Sequence, residues 1–408
     1  MKKQILNFST KLFGTFLMII SFSSCNKDLE NQALPTSYEP NGSEELTVRG
    51  GNNDLALYTL NVDRFAAGIE AALAGKLSGY GYSIINNGIE YHRGVGGSGW
   101  NRRPVDAPAL AHGAIERQGL ASSTKYAVAL LVARILEKNG KTMNELIYKY
   151  LPSNWNPHPD FKTITFGDLL AHKAGIIKYG NTYFDVKKTV EGGVIKANQG
   201  VRVYDNMNYF MCHYLVPYMI GKMESPGLLN LLDSKKYYPS ELVPMIDVNF
   251  RYYFRLYVCK PAGLTYWDKV DFAPWNATGT IPLEDGCRFY NTLNINEKGT
   301  IPGNGLSGSG PGGLYISAVE YGQIINAAAH GKIISKALYY NMKVELRGFD
   351  WALSGKFGPY YAKNGKARSE EMLIDFGSTQ VIVIANCDFG GLSGTPSWIV
   401  NAFDAAAN

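Results

Sequence analysis

The chain has little of what metal and redox chemistry rely on. Its 408 residues hold six histidines and five cysteines, and neither C-x-x-C nor H-E-x-x-H occurs. Local ligand spacing therefore offers no metal site. Charge of one sign is scarce as well. The formal net charge is +5, without a basic tract or a patch of aromatics interleaved with Lys and Arg. That argues against nucleic acid as a partner. The apolar run LFGTFLMII (12–20) is too short to span a bilayer. No segment recurs at solenoid or propeller periods. At 46% hydrophobic residues, the chain can bury a sizeable core.

The N-terminus reads as an export signal: Lys2 and Lys3, then the apolar run, then small residues in SFSSC. That ending resembles the lipobox of bacterial lipoproteins, whose cysteine is lipidated after cleavage. The resemblance implies a signal peptide over residues 1–24 and a lipid on Cys25. It also implies a bacterial cell-envelope location, periplasmic or cell-surface, with membrane attachment through acyl chains alone. Loss of Lys2, Lys3 and Lys11 would bring the net charge to about +2. Residues 25–53 are polar, bear Pro and Glu, and suit a flexible tether. Cys212, Cys259, Cys287 and Cys387 remain, and four thiols allow three full pairings.

Asp63–Gly75 reads as a helix capped by Asp63 and stopped by Gly75. Asn87-Gly88 joins two strand-like runs, as a type I′ turn with two positive φ angles requires. EEMLIDF and TQVIVIANC read as strands, and PSWIVNAFDAAA as a closing helix. The middle is mostly helical and carries an aromatic-rich stretch (249–275), which either packs a core or lines a site for a large apolar ligand. The expected fold is α+β, an antiparallel sheet flanked by helices. Residues 54–125 and 302–408 would form it, with a mostly helical insertion over 126–301. The run PGNGLSGSGPGG (302–313) contains G-x-G-x-x-G twice but follows a loop, so it reads as a cleft wall and not a dinucleotide site.

ASSTKYAVALLVARILEKNG (121–140) sends Lys125 into the mouth of a helix that is apolar on nearly every side. Such a helix is normally buried. A desolvated lysine loses proton affinity and can take the proton of Ser122, which lies three residues earlier on the same face. The helix N-terminus also favours negative charge there.

This S-x-x-K resembles that of the penicillin-recognising serine hydrolases, which include class C-type β-lactamases, D,D-peptidases and esterase relatives. Their pattern continues with Y-x-N and then K-T-G or H-x-G. Y-x-N occurs here at Tyr179, Tyr204 and Tyr339. Tyr204-Asp205-Asn206 is similar to the family element, since an apolar helix-like run follows it. K-x-G occurs at Lys138, Lys173, Lys356 and Lys363. Lys363-Asn364-Gly365 matches the family register into the last strands, with Lys356 as the fallback. LLAHKAGI (169–176), KPAGLT (260–265) and GGLYISAVEYGQII (312–325) are similar to further family landmarks, so His172 reads as structural. Asp205 and Asn364 depart from the usual residues of their motifs.

The resemblance implies a β-lactamase/transpeptidase-like fold and an acyl-enzyme on Ser122, with Lys125 and Tyr204 sharing the general-base role. Asn206 would hold Lys125 and the substrate amide. Lys363 would lower the proton affinity of Tyr204 and, with Lys366 and Arg368, attract an anionic group. The oxyanion would rest on the backbone N–H of Ser122 and of Lys366, beyond Asn364 and Gly365. The substrate would be a small-molecule or peptide ester, amide, D-peptide or β-lactam-like compound, and no cofactor or metal is required. An acyltransferase with a hydrophobic alcohol acceptor and a non-catalytic binding lipoprotein are the alternatives.

Overall fold

Strands from the two ends of the chain meet in one sheet. The computed structural model describes residues 58–91, 96–273, 286–301 and 309–408, plus the backbone of two short strands at 275–276 and 279–280. The export signal, Cys25 and the tether lie outside the described residues, as does 302–308 of the glycine run. Strands β1 (Gly79–Asn86), β2 (Ile89–Tyr91), β3 (Gly97–Arg102) and β4 (Leu110–Ala111) come from the first part. Strands β5 (Trp351–Gly355), β6 (Gly358–Lys366), β7 (Glu370–Asp375) and β8 (Thr379–Ala385) come from the last. They form an eight-stranded antiparallel sheet of order β5-β6-β7-β8-β1-β3-β4, with β2 paired to β1. Tyr80 lies opposite Ala385 and Asn86 opposite Thr379. The β1–β2 turn has Asn87 at φ 51° and Gly88 at φ 80°, the two positive values expected.

Both sheet faces are covered, which is why β7 and β8 are buried throughout. Alternate residues serve different cores. Met372, Ile374, Val381 and Val383 pack with α1 (Val62–Leu73) and α6 (Ser397–Ala406). Leu373, Ile382 and Ile384 join a second core around α2 (Thr124–Lys138), α3 (Met207–Met223), α4 (Pro239–Phe254) and α5 (Ala318–Ala329). The helices of the middle region thus share a core with those after residue 309, and Asp54–Asn408 is one compact unit.

Three expectations change in detail. Helix α1 is capped by Asn61, whose Oδ1 accepts from Arg64 N at 2.9 Å, and Asp63 sits in its first turn. The four cysteines Cys212, Cys259, Cys287 and Cys387 are free and buried, so none of the possible pairings forms. The phenylalanines of the aromatic stretch pack inward: Phe250 and Phe254 each contact Phe272, and all three are buried, whereas Tyr252 and Tyr266 are exposed. Tyr257 instead receives a hydrogen bond from Lys138, at the far end of α2 from Ser122. The fifteen residues of α2 place that end roughly 20 Å away.

Candidate active site

Ser122 sits in the turn that enters α2, half-buried, while Lys125 inside the first helical turn is fully buried. Lys125 N donates to Ser122 O at 3.1 Å, which tightens the entry and stacks the two side chains. Lys125 Nζ donates to Ser122 Oγ at 2.9 Å and to the carbonyl of Pro311 at 2.6 Å. Pro311 reaches this position because Gln118–Gly119 pairs with Tyr315–Ile316, drawing the chain beside the serine turn. Gly313 N donates to Leu120 O and Leu120 N to Leu314 O, both at 2.8 Å. The described end of the glycine run is therefore a wall of the site.

Tyr204 completes the cluster from the loop that precedes α3. Its OH lies 2.8 Å from Ser122 Oγ as donor. Lys125 Nζ lies 5.1 Å from the Tyr204 ring centre and 5.8 Å from that of Tyr209. His172 backs the tyrosine, with ring centres 4.4 Å apart. Its Nδ1 accepts from Asp205 N at 3.3 Å, so the ring braces the loop. Burial, with the cations Arg202, Lys125 and Lys363, pushes His172 down to about 2 and keeps it neutral. Asp205 Oδ1 accepts from Met207 N at 2.7 Å, so this departure from the motif caps the first turn of α3.

Electrostatics separate the two groups on Ser122. Burial, reinforced by the nearby Lys363 charge, drives Lys125 well below the ordinary value of a lysine. Asp350, Glu371 and Asp205 oppose this only in part. Burial pushes Tyr204 up to about 12 against the effect of its Ser122 bond. The Arg202 charge also lowers it.

Strand β6 runs beside the serine turn. A Cβ on Gly365 would meet Ser123 N at 2.8 Å and Glu371 Oε2 at 1.7 Å, so only glycine permits this approach. Strand alternation turns Asn364 away, and its Nδ2 donates to Ser393 O at 2.5 Å instead of facing a substrate. Lys363 points inward at 1% exposure, with Nζ 2.6 Å from both Asp350 Oδ2 and Asn364 O. Lys366 is exposed and pairs with Glu370 at 3.1 Å. Asn206 is exposed at the start of α3 and makes no side-chain hydrogen bond among the described residues, so it does not hold Lys125.

The rival motif copies lie elsewhere. Tyr179 is exposed beside Lys188. Tyr339 is buried and donates to Asp375 Oδ2 at 3.0 Å. Lys356 donates to Ala407 O, and Lys138 and Lys173 pair with Glu224 and Glu345.

Residues 65–216 match the β-lactamase family. A penicillin-binding-protein homologue of Bacillus subtilis (strain 168), PbpX, is 23% identical over 286 residues, 65% of this chain. The aligned part spans 61% of that protein's length. Over residues 65–216 the chain is similar to the β-lactamase family of penicillin-recognising serine hydrolases. Two solved structures share its fold. FmtA from Staphylococcus aureus has a TM-score of 0.59 at 15% identity, covering 86% of this chain and 89% of its own. A β-lactamase/D-alanine carboxypeptidase from Yersinia pestis has 0.58 at 13%, covering 85% and 97%.

Within this β-lactamase-type frame, two acidic residues that sequence reasoning missed surround the cluster. Glu371 is fully buried in β7. Its Oε1 accepts from Ala121 N at 2.9 Å and Ser369 Oγ at 2.5 Å, and its Oε2 from Ser123 Oγ at 3.0 Å. It thereby clamps the residues on both sides of Ser122. Asp350 bridges Lys363 and Arg202. The signal for Glu371 was present in sequence as a charged pair, Glu370-Glu371, placed directly before the apolar run Met372–Ile374. Nothing local marked Asp350.

Proposed function

We propose that the protein is a serine hydrolase that forms an acyl-enzyme on Ser122 with an ester, amide, D-peptide or β-lactam-like substrate. The observation that carries this reading is one serine oxygen in hydrogen-bond contact with both a buried lysine and a tyrosine. A lysine of depressed proton affinity offers a lone pair at neutral pH. The proton of Ser122 moves to the Lys125–Tyr204 pair as Oγ attacks the acyl carbon. The two groups titrate together, so the proton belongs to the pair. The tetrahedral oxygen rests on the backbone N–H of Ser122 and of Lys366. Tyr204 then hands the proton to the leaving group, and water hydrolyses the acyl-serine with the pair again as base.

Tyr204→Phe removes the OH while keeping the ring that packs on His172. Its kcat/KM on an activated ester should fall about 10²–10⁴-fold, the range of general acid–base groups. Its melting temperature should stay near that of wild type. A fully active Phe variant would assign the proton transfer to Lys125 alone. No observation favours a hydrophobic acceptor alcohol: of the aromatics that suggested one, Phe250, Phe254 and Phe272 lie in the core.

The same reading holds the protein at the cell envelope through a lipid on Cys25. Partition into Triton X-114 is the measurement: wild type should enter the detergent phase and Cys25→Ala the aqueous phase. Equal partition of the two would remove the anchor.

A further inference from the structure

Two cations of the site interior, Lys363 and Arg202, share one carboxylate. Asp350 precedes β5, and its side chain is 11% exposed. One of its oxygens, Oδ2, accepts from Lys363 Nζ at 2.6 Å, and the other, Oδ1, from Arg202 at 2.9 Å. Arg202 lies two residues before Tyr204. Its guanidinium also donates to the carbonyls of Ala171 and Phe349, each at 3.0 Å, and of Leu346 at 3.4 Å. A single carboxylate therefore ties the tyrosine loop to the K-x-G strand, one oxygen to each.

The electrostatic consequence concerns the substrate. Lys363 Nζ lies 5.7 Å from the Tyr204 ring centre, inside the site, but its charge is opposed at contact by Asp350 and two of its three donors are engaged. A substrate carboxylate seeking that ammonium would have to displace Asp350 or lie against it, and like charges at contact are strongly disfavoured. Asp350, Glu371 and Asp205 all act on Lys125 from the same interior. The remaining cations, Lys366 and Arg368, are exposed on the β6–β7 turn. There solvent and salt weaken their pull.

We propose that Asp350 is a positioning and specificity residue: it sets the spacing of the Tyr204 and Lys363 elements, and it selects acyl substrates that carry no carboxylate beside the scissile bond. This rests on the acyl-enzyme reading above. The preferred substrates are neutral esters or amides, and a leaving group with a free carboxylate is disfavoured.

A matched pair of thioesters tests it: N-acetyl-D-alanyl mercaptoacetate and N-acetyl-D-alanyl mercaptoacetamide. They share the acyl group and the reacting bond and differ by one negative charge. Wild type should show a kcat/KM about tenfold or more higher for the neutral thioester. Asp350→Asn keeps the size of the side chain and an acceptor for Arg202 but exposes the Lys363 charge. Its ratio should move toward the anionic thioester by about tenfold, chiefly through KM, and the gain should shrink with added salt.

An unchanged ratio with unchanged rates in Asp350→Asn, or a wild type that prefers the anionic thioester, would overturn the proposal. Equal loss on both substrates would leave Asp350 a positioning residue and overturn its role in selection. If the variant does not fold, the wild-type ratio alone decides. A fluorophosphonate mass adduct on wild type, run alongside, separates failure of this proposal from failure of the acyl-enzyme reading. Without an adduct and without thioester turnover, both readings fall.

Discussion

Ser122→Ala is expected to lose the covalent adduct altogether and to lower turnover of any acyl substrate by about 10⁴-fold or more, the scale seen when a serine nucleophile is removed. The fold should barely register the change. The hydroxyl is half-buried, and its two partners keep other options. Lys125 Nζ retains the Pro311 carbonyl, and Tyr204, 47% exposed, turns its OH to water. Loss of one such hydrogen bond costs on the order of 1 kcal/mol. Intact mass after fluorophosphonate treatment and a thermal melt make the comparison. A variant labelled like wild type would remove Ser122 from the mechanism.

Lys125→Met should separate activity from stability in the opposite sense. Acylation should slow by about 10²–10⁴-fold, because Ser122 loses the group that takes its proton. Stability at neutral pH should rise. Lys125 is fully buried, with the Ser122 hydroxyl and the Pro311 carbonyl as its hydrogen-bond acceptors. Burial depresses its proton affinity in the folded state, from an ordinary value near 10.5. Between the folded and unfolded values the unfolded chain binds more protons, so wild-type stability increases as pH rises through that window. Below the window it carries the whole penalty, about 1.4 kcal/mol for each tenfold loss of proton affinity. Methionine has similar volume and no charge to desolvate. The gain of Lys125→Met over wild type should be larger at pH 7 than at pH 10 and shrink toward pH 10.5. Urea melts at pH 7 and pH 10 measure it. A variant less stable than wild type at pH 7 would mean that Lys125 is held by interactions worth more than its desolvation.

Such a trade is what a reactive site imposes on a stable core. A lysine that is comfortable as an ammonium is no base at neutral pH, and one that is a base there burdens the fold. The site contains this burden by giving Lys125 a carbonyl and a hydroxyl, and by keeping Glu371 one residue away on either side of the nucleophile.

Much of this was legible in the order of residues. The apolar helix with a lysine at its mouth, the Asn87-Gly88 turn and the two apolar strands at the C-terminal end are local patterns. Each is decided by periodicity and by the conformations that particular residues allow. The choice of Tyr204 over Tyr179 and Tyr339, and of Lys363 over Lys356, came from a resemblance in register; in the structure Tyr204 OH lies 2.8 Å from Ser122 Oγ, and Lys363 Nζ lies 5.7 Å from the Tyr204 ring centre. The cap of α1 fell two residues from its expected place because Asn61 and Asp63 are both good caps and only the path of the chain selects one.

What the sequence by itself determined is the set of chemical groups and their local geometry: a serine and a lysine on one face of a buried helix start, a tyrosine opening a second helix, and a K-x-G strand. What only the tertiary structure decided is which charges meet. Asp350 lies 148 residues from Arg202 and 13 from Lys363, and Glu371 lies 250 residues from Ala121. No periodicity links residues so far apart. They meet because antiparallel pairing of β5, β6 and β7 carries their side chains to the end of the sheet where α2 begins. In that buried space an ion's strength is set by its partner, so the pairings tune Lys125 and Lys363.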